Sequence, residues 1–168
     1  MLQADGCGLR PKGIFKIQHK RADQTIGNYE LPNGITNEGK NALVDIMFPG
    51  DTQVTTWFIG LIDNAGFTAL AAADTHASHS GWAENTDYDE SNRPTWTEGA
   101  AASQSMTNAA TVDFTINATI VLKGIFLAKL NTKGSTASSI LWSTGAFGAT
   151  INAVDDDVLS ITYTTSVA

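Results

Sequence analysis

The chain is poor in the features that most often announce a function. Cys7 is its only cysteine, so no intrachain disulfide can form and no four-thiolate metal site can be built. Charged residues make up only 16% of the 168 positions, well below the usual quarter, so neither a coiled coil nor a charged disordered tail is in view. No run approaches the 18 or so apolar residues of a membrane-spanning helix. The first stretch, MLQADGCGLRPKG, lacks the apolar middle of a secretory signal. Synthesis in a cytoplasm is therefore expected, with no membrane partner. No Walker motif, no G-x-G-x-x-G and no G-x-S-x-G elbow occurs.

What fills the space is hydrophobic residue (42%) together with Ala, Thr, Ser, Asn and Gly. That composition predicts an all-β domain with long loops and a polar, weakly charged surface. The net charge is −7, which argues against nucleic acid as a partner. Its distribution is uneven. Residues 1–50 carry six basic groups (Arg10, Lys12, Lys16, Lys20, Arg21, Lys40) and five acidic ones, a net of +1, so the remainder holds −8. Residues 1–13, with Gly6, Gly8, Pro11 and Gly13, predict an extended arm. Residues 14–168 predict one β-sandwich domain, jelly-roll-like.

In IFKIQHKR (14–21), Phe15, Ile17 and His19 alternate with Lys16, Gln18 and Lys20, the period of a half-buried strand. Tyr29 and Leu31 continue the period after a turn at 22–24, which predicts a hairpin. TNEGKNALVDIMF predicts one short amphipathic helix. Thr36 or Asn37 serves as N-cap and Glu38 suits the first turn. Ala42, Leu43, Ile46 and Met47 form the apolar side, and Pro49-Gly50 makes the stop. WFIGLID (57–63) reads as a buried strand. Residues 64–108 show no sustained period beyond a helical turn or two at ALAAAD, so a long loop is expected there. ATIVLKGIFLAKL (118–130), with a bulge or close contact at Gly124, is a long strand. A hairpin tip follows at Asn131–Ser135, then a strand through Ile140, Leu141 and Trp142. A last strand carries Leu159, Ile161 and Tyr163.

Candidate chemistry is thin. His76 and His79 lie near Asp74, Glu84, Asp87 and Asp89, but H-x-x-H is not the spacing that places two imidazoles on one helical face, and no cysteine accompanies it. The run from Asp87 lacks the glycine at position six that a calcium loop needs, with Asn92 there instead. Asp155-Asp156-Asp157 reads as a solvated turn rather than a pair of glycosidase acids. No catalytic, metal or cofactor residue is therefore assigned, and no enzyme is expected. Trp82 and Trp96 flank the acidic loop, and their surface suits self-packing or a neighbouring subunit, with carbohydrate stacking as a lesser third use.

The stretches NGITNEGKNALVDIMF, WFIGLIDNAGFTALAAADTHASHSGW, RPTW, ATVDFTINATIVLKGIFLA and VDDDVLSITYTT together resemble virion structural proteins of tailed bacteriophages, most nearly the small capsid decoration (cement) proteins. The resemblance implies a β-sandwich that sits on the capsid surface, bound to the major capsid protein. It also implies self-association, a homotrimer being favoured. Arg10, Lys12 and Lys16 are then the capsid-contact candidates, and Trp82, Tyr88 and Trp96 the subunit-contact candidates. A tail or fibre component, with a receptor-binding module for host-surface glycans, is the alternative. A polysaccharide hydrolase and a head–tail connector are further ones.

Overall fold

The computed structural model describes residues 10–48, 50 and 52–167. Cys7, residues 1–9 of the expected arm and Pro49 of the expected helix stop lie outside them. The described chain is all-β with one helix: β1 (Pro11–Arg21), β2 (Gln24–Ile35), α1 (Asn37–Met47), β3 (Trp57–Asp63), β4 (Glu84–Asn85), β5 (Thr95–Trp96), β6 (Ser105–Thr107), β7 (Val112–Thr115), β8 (Ile120–Ala128), β9 (Leu141–Ala153) and β10 (Val158–Val167). Every strand pairing is antiparallel. The neighbour order is β4-β3-β8-β9-β2-β1-β10-β6, with β5 also on β3 and β7 also on β10.

The alternation read from the sequence places the early hairpin correctly. Phe15, Ile17 and His19 are buried, and β1 pairs β2 with Phe15 opposite Leu31. The strand begins earlier than expected, because Pro11, Lys12 and Gly13 pair with Val167, Ser166 and Thr165 of β10. The far end of β2 leaves β1 and pairs with β9 through Gly34 and Ile35. This continuity folds the sheet into two layers. Phe15, Ile17, Leu31, Phe114, Ile161 and Tyr163 come from one layer and Ile59, Leu61, Leu122, Ile125, Leu127 and Ile151 from the other, in one apolar cluster. Each such side chain contributes about 1.5–3 kcal/mol by leaving water. The result is β-sandwich-like. The jelly-roll connectivity expected from the sequence is not confirmed by this order.

Gly124 meets both expectations for it. The β8–β9 register shifts between Leu122 and Gly124, and a Cβ at Gly124 would lie 2.5 Å from the Gly145 carbonyl oxygen. β9 runs well past the expected Ile140–Trp142 segment, to Ala153. Helix α1 is capped by Thr36, whose hydroxyl accepts from the Gly39 amide at 3.0 Å and donates to the Leu141 carbonyl. Gly39 sits against the backbone of Trp142, where a Cβ would come within 2.5 Å of the carbonyl oxygen. The helix therefore lies close on β9. Met47, expected on its apolar side, is 60% exposed instead.

The expected long loop is threaded by β4, β5 and β6, and ALAAAD is extended with a turn rather than helical. These short pieces tie the two edges of the sheet together. β4 and β5 pair with β3. The Ala109 amide donates to the Thr97 carbonyl at 2.9 Å, and the Gly99 amide to Thr107 at 2.7 Å, joining β5 toward β6 on β10. The Asp89 amide donates to Thr115 at 2.8 Å, joining the β4 side to β7. Edge amides that would otherwise invite another chain are thus used internally.

Candidate functional site

Three places concentrate side chains whose arrangement needs explanation. The first lies in the long connection. Arg93 is 3% exposed, and all five of its N–H hydrogens have acceptors. Nε and Nη2 donate to the two Glu84 carboxylate oxygens at 2.7 and 2.8 Å. Nη1 donates to the Leu130 carbonyl and to His76 Nε2, both at 2.8 Å, and Nη2 also reaches the Ser135 carbonyl at 3.2 Å. A guanidinium can only donate, so His76 Nε2 must be the acceptor and the imidazole hydrogen sits on Nδ1. That hydrogen goes to the Ala137 carbonyl at 2.7 Å. Burial pushes the His76 imidazole below its ordinary pKa. Arg93 adds to that shift, while the Ala137 bond and the charges of Glu38 and Glu84 oppose it.

Glu38 stands in the first turn of α1, as expected, and its carboxylate has a second role. Its Oε2 accepts from the backbone amides of His76 (3.0 Å) and Leu141 (2.7 Å), pinning the connection to α1 and β9. Asp74 accepts from Trp82 Nε1 at 3.0 Å, and His79 stacks on Trp82 at 3.7 Å between ring centroids. His76, His79, Trp82, Glu84, Arg93 and Phe126 line a hollow of about 220 Å³. Arg93 has no hydrogen left for an anionic ligand, and the His76 lone pair is taken. Among the described residues no group of three or more His, Cys, Asp or Glu is placed to hold a metal ion.

The second place is the turn before β10. Asp155 and Asp156 are exposed as expected, but Asp157 is wholly buried, which corrects the reading of a solvated triple-Asp turn. Its carboxylate accepts from Arg21 Nε (2.7 Å) and Nη2 (2.8 Å), His19 Nε2 (2.8 Å) and the Val154 amide (2.9 Å). The Arg21 guanidinium holds the carboxyl well below the usual carboxylate range against the opposing effect of burial, and the Val154 amide and His19 assist. A carboxylate with four donors around it is a clamp between the β1 end and the β9–β10 turn.

The third place is apolar and lies under α1. A hollow of about 230 Å³ is lined chiefly by Leu43, Ile46, Trp57, Trp96, Trp142 and Tyr163. Trp57 and Trp142 meet at 5.8 Å, and the Tyr163 hydroxyl accepts from Trp142 Nε1 (3.0 Å) and Asn33 Nδ2 (2.9 Å). On the same helix Val44 and Met47 are exposed, and Phe48 at its C-cap is 79% exposed. Thr165 at the rim also holds the β1 start, donating its hydroxyl to the Lys12 carbonyl at 3.2 Å. Basic side chains at 10 and 12 therefore root beside this apolar end.

Arg10, Lys12 and Lys16 are all exposed. Lys16 stands on the outer face of β1 in a solvent-exposed pair with Glu30 at 3.1 Å. Trp82, Tyr88 and Trp96, the subunit-contact candidates, are spent inside their own chain. Trp82 packs on Phe126, Tyr88 on Phe114 edge-on, and Trp96 on Tyr163 while donating to the Tyr163 carbonyl at 3.3 Å. Of the three uses the sequence left open for Trp82 and Trp96, packing within their own chain is the one seen here. Sequence reasoning missed Arg93, Glu84 and Glu38 as a network. The single available signal was an arginine in an acidic segment whose nearest carboxylates it could neutralise. It also missed Val44 and Phe48 as an exposed apolar turn.

Among the described residues no helix is long and apolar enough to cross a membrane. No family model matches the chain, and a search of curated proteins finds no match to it.

Proposed function

We propose that the protein is a structural component of a tailed-bacteriophage particle, a decoration protein that binds the outer capsid surface and stabilises the shell by bridging capsid subunits. The observation that carries this reading is the convergence at one end of the molecule. Exposed Val44 and Met47, on a helix that roofs a tryptophan-lined hollow, are joined by exposed Phe48 at its C-cap, and the basic start of the chain roots beside it. An apolar core with a charged rim is the composition of a protein-binding surface. The long connection supports the reading too, since its buried charges are consumed in holding it rather than offered to a substrate.

On this reading the protein is not an enzyme, works as a homo-oligomer with a trimer favoured, and resides on the virion with the major capsid protein as its partner. Its mechanism is linkage. A protein that binds assembled subunits better than free ones stabilises the assembly, and many copies add avidity. Lys12 and Arg10 steer the approach to an acidic partner, and Met47 and Phe48 supply the desolvated contact.

Cosedimentation with capsids stripped of accessory proteins tests this directly. Saturation at many copies per shell is expected, with Phe48→Asp and Met47→Asp reducing occupancy at least tenfold while the far-ultraviolet circular dichroism stays unchanged. Absence of capsid binding, with measurable affinity for host-surface glycans, would instead identify the tail or fibre role.

A further inference from the structure

We propose that the His76–Arg93 contact is an acid-sensitive latch, in which a proton on His76 Nε2 breaks the contact and frees the segment around residues 74–96 from the connection between β8 and β9. The geometry carries it. Arg93 Nη1 donates to Nε2 across 2.8 Å, and Nδ1 already carries the hydrogen bound to Ala137. A second imidazole hydrogen would therefore face an N–H of a permanently charged guanidinium at hydrogen-bond distance, with two donors and no acceptor. Both residues are buried, so bulk solvent offers the ring little relief unless the segment moves.

Other charged groups around His76 do not supply the missing acceptor. From α1, Glu38 Oε2 is bound to the His76 and Leu141 amides rather than to the ring. From β4, Glu84 is engaged by both Arg93 nitrogens and by the Gly134 amide. On its own segment Asp74 holds Trp82 Nε1 and the Ala71 amide, and His79 Nδ1 lies 3.0 Å from the Trp82 carbonyl. Lys133, on the β8–β9 connection, donates to the Thr86 and Tyr88 carbonyls. The lowered His76 pKa agrees with this arrangement. Because the closed form binds the proton less well than the opened form, closure is favoured above the ordinary histidine value and weakens as pH falls below it.

What is held by the latch is also clear. Arg93 ties residues 84, 76, 130 and 135, and its own amide donates to the Asn131 carbonyl at 2.7 Å. Opening would widen the hollow lined by His79, Trp82 and Phe126, while the β1–β10 ladder has no part in it.

Amide hydrogen exchange of the full chain at pH 7 and pH 5, read as protection factors so that the intrinsic pH dependence cancels, provides the test. Protection of the Arg93 amide and its neighbours in 74–96 is expected to fall up to roughly 25-fold between the two, the limit set by an ordinary histidine value near 6.5 in the opened form. Ile17 and Ile161 should keep theirs. In His76→Gln, whose side-chain oxygen can accept from Arg93 at any pH, the local fall should vanish, and in His19→Gln it should persist. If His76→Gln does not fold, nitrogen shifts of the wild-type imidazole serve instead. A neutral Nδ1–H ring that titrates in step with the loss of protection supports the latch. A fall shared by the whole molecule, one retained in His76→Gln, or a ring that titrates outside the opening range would overturn it.

Discussion

The described chain contains two assemblies built from an arginine, a histidine and a buried carboxylate, and they are wired in opposite senses. Around Asp157, an arginine and a histidine both donate to one carboxylate. Around Arg93, the guanidinium donates to a carboxylate and also to the histidine, which is reduced to an acceptor. In the first the histidine hydrogen is what makes the bond, whereas in the second an added hydrogen is what breaks it. Burial differs as well. Arg21 keeps almost half of its side chain in solvent, while Arg93 and Glu84 are both sealed. The same chemistry therefore makes a clamp at the end of β1 and a pH-dependent closure in the long connection.

Arginine replacement is the sharpest way to separate them. Arg93→Ala leaves Glu84 charged, buried and unpaired, and strips acceptors Leu130 and Ser135 of their donor. A loss of about 3–5 kcal/mol is expected, read as a lower denaturant midpoint. Arg21→Ala should cost clearly less, since solvent already reaches that guanidinium and water can replace it. Equal losses would mean that the difference in burial has no energetic consequence.

Asp157→Asn comes next, at about 2–3 kcal/mol, because an amide offers hydrogens where Arg21 and His19 already point theirs. The sign of its pH dependence follows from the lowered carboxyl pKa. The wild-type carboxylate stabilises the fold above the ordinary aspartate value of 3.8, and that contribution is lost as pH falls below it. The variant should approach the wild type in stability as pH drops from 4 toward 2, measured by thermal unfolding at each pH. A constant gap across that range would show that the Asp157 charge is not what matters.

Why one assembly was more legible than the other is a matter of sequence distance and period. His19 was placed on the buried face of β1 by alternation alone, and Thr36 or Asn37 announced the helix by a short oxygen before an apolar repeat, Thr36 being the one that caps it. Neither the burial of Asp157 nor its side-chain partners His19 and Arg21 could be read, since those two lie more than 130 residues away and a run of three aspartates looks solvated. The connection that holds Arg93 has no period because its order comes from side-chain bonds spanning 9, 17, 37 and 42 residues. Strands of two or three residues are too short to alternate visibly. Trp82, Tyr88 and Trp96 were visible as large side chains, but the side they faced depended on these same bonds.

The smallest expected effect is at the exposed end of the scale and calibrates the rest. Lys16 and Glu30 form an ion pair at 3.1 Å across β1 and β2, with more than half of each side chain in water. Geometry alone would rank this contact beside Arg93–Glu84. However, solvent screens the attraction, and ordering two long side chains offsets part of what remains. Lys16→Ala should therefore change stability by no more than about 0.5 kcal/mol, with even that difference fading as salt is raised. The same variant can be carried into the capsid-binding assay, where loss of a steering charge would slow association without unfolding anything. A large stability loss in Lys16→Ala would mean that distance rather than burial ranks the ion pairs of this protein, and the contrast between the two buried assemblies would lose its basis.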